Sequence, residues 1–325
     1  MSSVLARIDF NKIFSELERV KARVVGIQLP DGLKFRTKEI VERFEEKYET
    51  IISSSHAFGA CDIDISLLDV VDILVHFAHT PVIELERVIY APYFYDYSFE
   101  RIKKYLGMIE DRRIALAGTA QYAWKFPELK EFLEEEGFIV ELGKPSGRIK
   151  LPGQILGCNY SVLRETTSNI LFIGDGLFHP RGAAIYTGRR VYRYNPLTDE
   201  FGEVEEEVEK FRKERCFQIS RALQRLDEGV GIAVSSKPGQ NRLLLAKKLK
   251  LKAIGRGIEA HIIYFDDLSP EKLLNFPFGF YVNTACPRIT YEDYKRYEKP
   301  VLTPSEFELV VKGKDFGELK VDELF

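Results

Sequence analysis

The stretch Gly279-Phe-Tyr-Val-Asn-Thr-Ala-Cys286 reads as an apolar strand running without a break into two small residues and a cysteine. Two other cysteines have a similar setting: Cys61 in Gly59-Ala-Cys-Asp62, and Cys158 at the end of Gln154-Ile-Leu-Gly-Cys158. Each follows a strand-like run and a small residue, and each precedes a helical stretch and another strand-like run. Thiols so remote in sequence converge only if three repeats face a common centre. A centre lined by three thiolates is a metal site with one coordination position left open.

Outward from these cysteines, short β-branched strands alternate with amphipathic helices, the pattern of an α/β protein with parallel sheets. The spacing divides the chain into three units, 1–108, 109–225 and 226–325, carrying Cys61, Cys158 and Cys286 in turn. In the first, strands are expected at Arg23–Leu29, Thr50–Ser53 and Val71–His76, with Ser98 capping a helix that leads outward. In the second, they are expected at Arg113–Gly118, Phe138–Leu142, Gln154–Gly157 and Asn169–Gly174. An arginine-rich excursion from His179 to Glu203 reads as an insertion, with Arg190-Val-Tyr-Arg-Tyr194 as a possible strand within it. A charged helix from Glu203 to Glu228 follows, its apolar face made by Val204, Val208, Phe211, Ile219, Ala222 and Leu226. In the third unit, strands are expected at Val230–Val234, His261–Phe265, Gly279–Asn283 and Pro300–Thr303, with Ser269-Pro270 starting a helix. Functional loops gather at the carboxyl ends of parallel strands. Three such sheets facing one another would turn the cysteines, and the turns at Asp31, Gln121 and Gln240, into one central cavity.

Composition narrows the function. The net charge of −3 gives no electrostatic case for nucleic acid or an anionic membrane. No apolar run approaches the roughly 18 residues that span a bilayer, and Met1–Phe10 lacks the apolar core of a secretion signal. The expected location is the cytoplasm, where dispersed cysteines serve metals or catalysis more often than disulfides.

Two metal centres suit three thiolates. A [4Fe–4S] cluster would keep one exchangeable iron. Zinc, completed by His56 or His179, would be closed, although the paired C-x₂₋₄-C knuckles of structural zinc are missing. Cys216, inside the charged helix, is expected to stand apart from the site. His56, His79 and His179 fall near strand ends, where hydrogen bonds to backbone or carboxylate are their ordinary role. Gly174-Asp-Gly176 lacks the pattern of a phosphate loop. Lys237-Pro-Gly239-Gln240, ahead of a helix, could offer backbone N–H groups to a carboxylate.

Taken together, Gln28-Leu-Pro-Asp-Gly-Leu33, His56-Ala-Phe-Gly-Ala-Cys-Asp62, Gly157-Cys-Asn159, Gly174-Asp-Gly176, Ser236-Lys-Pro-Gly-Gln240 and Asn283-Thr-Ala-Cys-Pro-Arg288 form an ordered signature. By it the chain resembles, over its whole length, the archaeal diphthamide-synthesis family of 2-(3-amino-3-carboxypropyl)histidine synthases. The resemblance implies three pseudo-threefold-related domains, each a small, mostly parallel sheet flanked by helices, around a central cluster cavity. It implies a homodimer, with Cys61, Cys158 and Cys286 as ligands of a [4Fe–4S] cluster and S-adenosylmethionine as substrate. The implied reaction is one-electron reductive cleavage of the Cγ–S bond, releasing methylthioadenosine. The 3-amino-3-carboxypropyl group then passes to imidazole C2 of a histidine in translation elongation factor 2. An electron donor is a further implied partner. Gly239 and Gln240 are expected to contact S-adenosylmethionine, and Arg181–Arg193 to form a rim for the protein substrate. The rival readings are a quinolinate-synthase-like dehydratase, whose open iron acts as a Lewis acid, and a cluster-bearing subunit without catalysis of its own.

Overall fold

The computed structural model describes residues 8–313 and 319–324. The start of the chain, on which the absence of a secretion signal was read, lies mostly outside them.

The first sheet is preceded by helix α1 (Phe10–Arg19), whose Phe10, Ile13 and Leu17 recur at helical spacing and are buried. Asp9 caps it by accepting from the Lys12 N–H at 2.9 Å. Strand β1 (Val24–Gln28) is followed by α2 (Thr37–Glu45), β2 (Glu49–Ile52), β3 (Ile73–Ala78) and β4 (Val88–Pro92). Short α3 (Lys103–Leu106) leads to the second sheet: β5 (Arg113–Gly118), α4 (Ala120–Ala123), α5 (Phe126–Glu135), β6 (Ile139–Glu141), β7 (Asn169–Ile173), α6 (Phe178–Thr187), β8 (Val191–Asn195) and β9 (Glu200–Glu203). The long α7 (Glu205–Leu223) carries the chain to the third: β10 (Val230–Ser235), α8 (Leu243–Ile254), β11 (Ala260–Phe265), α9 (Pro270–Leu274), β12 (Phe280–Asn283), α10 (Pro287–Tyr291), β13 (Val301–Leu302) and α11 (Pro304–Lys312).

The strand orders are β2-β1-β3-β4, β6-β5-β7-β8-β9 and β11-β10-β12-β13. All pairings are parallel except the β8–β9 hairpin. One winding rule is thus repeated: second strand, first, third, fourth. The central strands are mostly apolar, β3 and β10 being buried along their whole length, as strands covered on both faces must be. Polar Gln28, His76, Ser235 and Asn283 are buried toward their carboxyl ends. Each sheet has its own aromatic or aliphatic core, for example Phe10, Phe44 and Phe77 in the first.

Three expectations are corrected. Each sheet has a fourth parallel strand, and β4 was not anticipated. The arginine-rich excursion is no insertion: α6, β8 and β9 are regular elements, and β8 stands where β4 and β13 stand in their sheets. The cysteine loops are also not equivalent. Cys61 lies between β2 and β3 and Cys158 between β6 and β7, whereas Cys286 lies between β12 and β13. Only Cys286 directly follows a strand; Gln154, ahead of Cys158, makes an isolated bridge to Gly118. Convergence survives because every strand-to-helix connection leaves a parallel sheet at the same edge.

Two smaller differences follow from local chemistry. Ser98 accepts from the Glu100 N–H at 3.3 Å, but only a short 3-10 turn and α3 follow it. On α7 the expected stripe is interrupted by Arg215 and Gln218, which are buried beside Phe211, Ile219 and Ala222. Ser269 caps α9, as its sequence implies.

Candidate metal centre

Cys61, Cys158 and Cys286 line one cavity of about 440 Å³. Cys61 sits in a tight turn in which the Asp62 N–H donates to Gly59 O at 2.9 Å. Cys158 is held in a small loop closed by reciprocal hydrogen bonds between Leu156 and Asn159. Cys286 ends the run out of β12 as the N-cap of α10, with Pro287 at the first helical position.

The loop after β10 organises this convergence. A side chain at Gly239 would place its Cβ 2.6 Å from Cys61 Cα, so only glycine lets the two loops touch. The Gly239 carbonyl accepts from Arg148 at 3.0 Å. Gln240 Nε2 lies 3.5 Å from Cys61 Sγ, and Lys237 pairs with buried Asp62. Arg242 donates to Thr284 O at 2.5 Å and Ala285 O at 3.3 Å, just ahead of Cys286, and to Asp322 Oδ1 at 3.0 Å. Nearby, the Leu324 N–H donates to the Cys158 carbonyl at 2.7 Å, so the final described segment ties the second sheet's loop to the third's.

Burial pushes the pKa of all three thiols up, Cys286 to about 12. Mutual repulsion adds to this: Cys158 feels Cys61 and Cys286, and Cys286 feels Cys61. Arg148 draws Cys61 and Cys158 downward, and the backbone N–H and guanidinium of Arg288 draw Cys286 downward. Such thiols become thiolates when a cationic centre replaces their protons. The donor set fits an iron–sulfur cluster. Among the described residues, no three His, Cys, Asp or Glu side chains gather closely enough to hold one metal ion. A cluster demands less closeness, since each thiolate binds a different iron.

The other expected residues separate into those that face the cavity and those that do not. Gln121, Gln240, His56, His79 and His179 line it; Asp31 does not, and instead accepts from Lys34 at 2.7 Å and pairs with His56 at 2.6 Å. Gly239 is absent from the lining, and its place against Cys61 makes it a packing residue. Cys216 stands apart in α7. None of Arg181–Arg193 lines the cavity: Arg181 pairs with Glu292, Arg189 donates to Ser168 O at 2.7 Å, and Arg190 pairs with Glu110. The cations at the cavity are Arg148, Lys237, Arg288 and Arg296.

Sequence reasoning overlooked Arg148, Arg242 and His76 as the partner of His79. Lys237, Gln240 and Arg242 within one turn were the available sign of an organising loop. Two histidines three residues apart at a strand end were the sign of the pair.

Fold and site together define a class: a three-sheet α/β protein presenting one cysteine from each sheet to a shared cavity. Comparison with known proteins narrows it. The family described as "Putative diphthamide synthesis protein" matches residues 29–320, and the chain belongs to that family. It is 38% identical to the 2-(3-amino-3-carboxypropyl)histidine synthase of Pyrococcus horikoshii, across 99% of this chain and 94% of that one. It is 28% identical to the synthase of the same description from Methanocaldococcus jannaschii, across 99% and 95%. The fold is similar to a crystal structure of Dph2 from Pyrococcus horikoshii with a 4Fe-4S cluster, with a TM-score of 0.90 over 97% of this chain and 93% of that one. No described helix is long and apolar enough to cross a membrane.

Proposed function

We propose that this protein transfers the 3-amino-3-carboxypropyl group of S-adenosylmethionine to imidazole C2 of a histidine in translation elongation factor 2, the first step of diphthamide biosynthesis. The observation that carries the reading is the meeting of Cys61, Cys158 and Cys286, from three sheets, in one cavity. These residues hold a [4Fe–4S] cluster. When bound, the cluster supplies one electron to the sulfonium and an open iron for substrate atoms.

The chain's own residues then decide which sulfonium bond breaks. Arg148, Arg288 and Arg296 offer cations for a carboxylate, Asp266, Asp267 and Asp293 offer partners for an ammonium, and Gln240 reaches toward Cys61. Holding the amino-acid arm by these groups presents Cγ to the open position, so that positioning directs cleavage to the Cγ–S bond. Phe58 and His56 line the cavity and are exposed, so a loop of the protein substrate enters past them. The three units, at 1–108, 109–225 and 226–325, act as one catalytic body in a cytoplasmic homodimer supplied by a separate electron donor.

Membership of the diphthamide family supports this reading over a quinolinate-synthase-like dehydratase. The experiment is anaerobic incubation of the reduced, cluster-loaded chain with S-adenosylmethionine and elongation factor 2. Methylthioadenosine and modified factor are expected from this polypeptide alone. A requirement for a second homologous chain would leave it a cluster-bearing partner subunit, and an absence of methylthioadenosine would end the proposal.

A further inference from the structure

The carboxyl ends of β1 and β3 hold a chain of polar side chains that the cluster site does not use. Gln28 and His76 are register partners on these strands, and both are fully buried. Gln28 Nε2 donates to the Asp62 carbonyl at 2.8 Å, and its Oε1 accepts from the Asp64 N–H at 3.2 Å. Two backbone groups of the Cys61 loop therefore fix which end of the amide is oxygen.

That orientation sets every proton further along. His76 Nδ1 lies 2.8 Å from Gln28 Oε1, which can only accept, so His76 Nδ1 carries hydrogen. Burial holds His76 neutral, which leaves its Nε2 bare. His79 Nδ1, 2.9 Å away, must then donate to it. With its hydrogen on Nδ1, a neutral His79 keeps its lone pair on Nε2. The ring also has a hydrogen bond to the Phe77 backbone, and it lines the cavity with Thr80, Gln121 and Gln154.

The backbone is bent to put the ring there. Ala78 adopts φ +71, a left-handed conformation that a residue with a Cβ rarely takes, and it turns the chain out of β3 immediately before His79. Gln121, from the second sheet, donates to the Ala78 carbonyl at 3.0 Å and fixes the turn.

We propose that His79 is the proton acceptor of the group transfer, its Nε2 taking the hydrogen displaced from C2 of the substrate imidazole. The inference rests on the reaction proposed above. Over that reaction the sulfonium Cγ–S bond and the imidazole C2–H bond break and a Cγ–C2 bond forms. The thioether leaves neutral, one proton is released, and no electron is gained or lost overall. A neutral imidazole of fixed tautomer has a lone pair to receive that proton, and because burial lowers the ring to about 4 it is a weak base that passes the proton on rather than keeping it. Gln28 and His76 are positioning residues: they hold the acceptor lone pair toward the cavity.

Two measurements test this. In the metal-free wild-type chain, ¹⁵N imidazole spectra at pH 7 should show His76 and His79 neutral with hydrogen on Nδ1. Hydrogen on His79 Nε2, or a charged ring, would overturn the proposal without touching the transfer reading. In the reduced, cluster-loaded enzyme, His79→Asn keeps a donor toward His76 but loses the base. Methylthioadenosine release should stay within about twofold of wild type while modified elongation factor 2 falls by about a hundredfold, the usual size of a lost general base. Equal losses of both products would make His79 a contact of S-adenosylmethionine, and unchanged product would make it a bystander; either overturns the assignment. A wild-type enzyme that releases no methylthioadenosine would defeat both this inference and the reaction beneath it.

Discussion

At the scale of single residues, a cysteine becomes a ligand through what surrounds its sulfur. Three of the four cysteines were legible because each sits beside small or turn residues in a loop, and the fourth was set aside because it lies inside a helix. Replacing Cys61, Cys158 or Cys286 by Ala should abolish or destabilise the brown chromophore, whereas Cys216→Ala should leave the visible spectrum unchanged. Gly239 was harder to read. Its position before a helix suggested an anion-binding turn, but contact with the Cys61 backbone across a distance of 179 residues for neighbouring Gln240 leaves no trace in local sequence. Gly239→Ala should therefore lower iron content at least as much as it lowers stability, since the added methyl collides with backbone that cannot yield. Normal iron loading in that variant would show that the two loops are free to separate.

At the scale of elements, the central strands and capped helices were legible from β-branched runs and from serine–proline and glycine punctuation. What escaped was set by tertiary contacts. Strand β4 is fully buried only at alternate residues and ends in proline, and β13 is two residues long. Arg215 shows the same limit more sharply. On a helix that reads as charged and solvated, it is fully buried, donates to Glu306 at 2.7 and 2.8 Å, and also donates to Thr290 O at 2.9 Å and Val301 O at 2.8 Å. Glu306 in turn completes a capping box with Thr303 at the start of α11. One guanidinium thus pins α7, α10, β13 and α11. Arg215→Ala leaves the Glu306 carboxylate buried without its partner and should cost about 3–5 kcal/mol in chemical denaturation. A loss under 1 kcal/mol would mean that water or rearrangement replaces the pair.

At the scale of the whole molecule, the threefold plan was legible as an order of strands and helices, but its imperfection was not. The cysteine of the third sheet uses a later loop than the other two, which only the sheet orders reveal. The shared cavity also gives a pH signature. Burial lowers His79 and His179 to about 4, below the ordinary 6.5 of the unfolded chain. Folding thus favours their neutral forms: their contribution is fully present above pH 6.5 and is lost as pH falls toward 4. Asp62 and Asp322, raised by burial, oppose this nearer pH 4, so the clearest window is pH 7 to 5.5. The urea midpoint of the metal-free chain should fall across that window, and less steeply for His179→Asn. A flat profile would show that these rings gain protons as freely in the cavity as in water.

The central claim is that three sheets bring three cysteines to one cluster with an exchangeable iron. Its most direct test is the iron content and electron paramagnetic resonance of the anaerobically reconstituted, reduced chain, recorded with and without S-adenosylmethionine. About four irons per chain, with a cluster signal that changes when S-adenosylmethionine is added, is the predicted result. A cluster that forms equally well in Cys61→Ala, Cys158→Ala and Cys286→Ala, or a signal indifferent to S-adenosylmethionine, would contradict it.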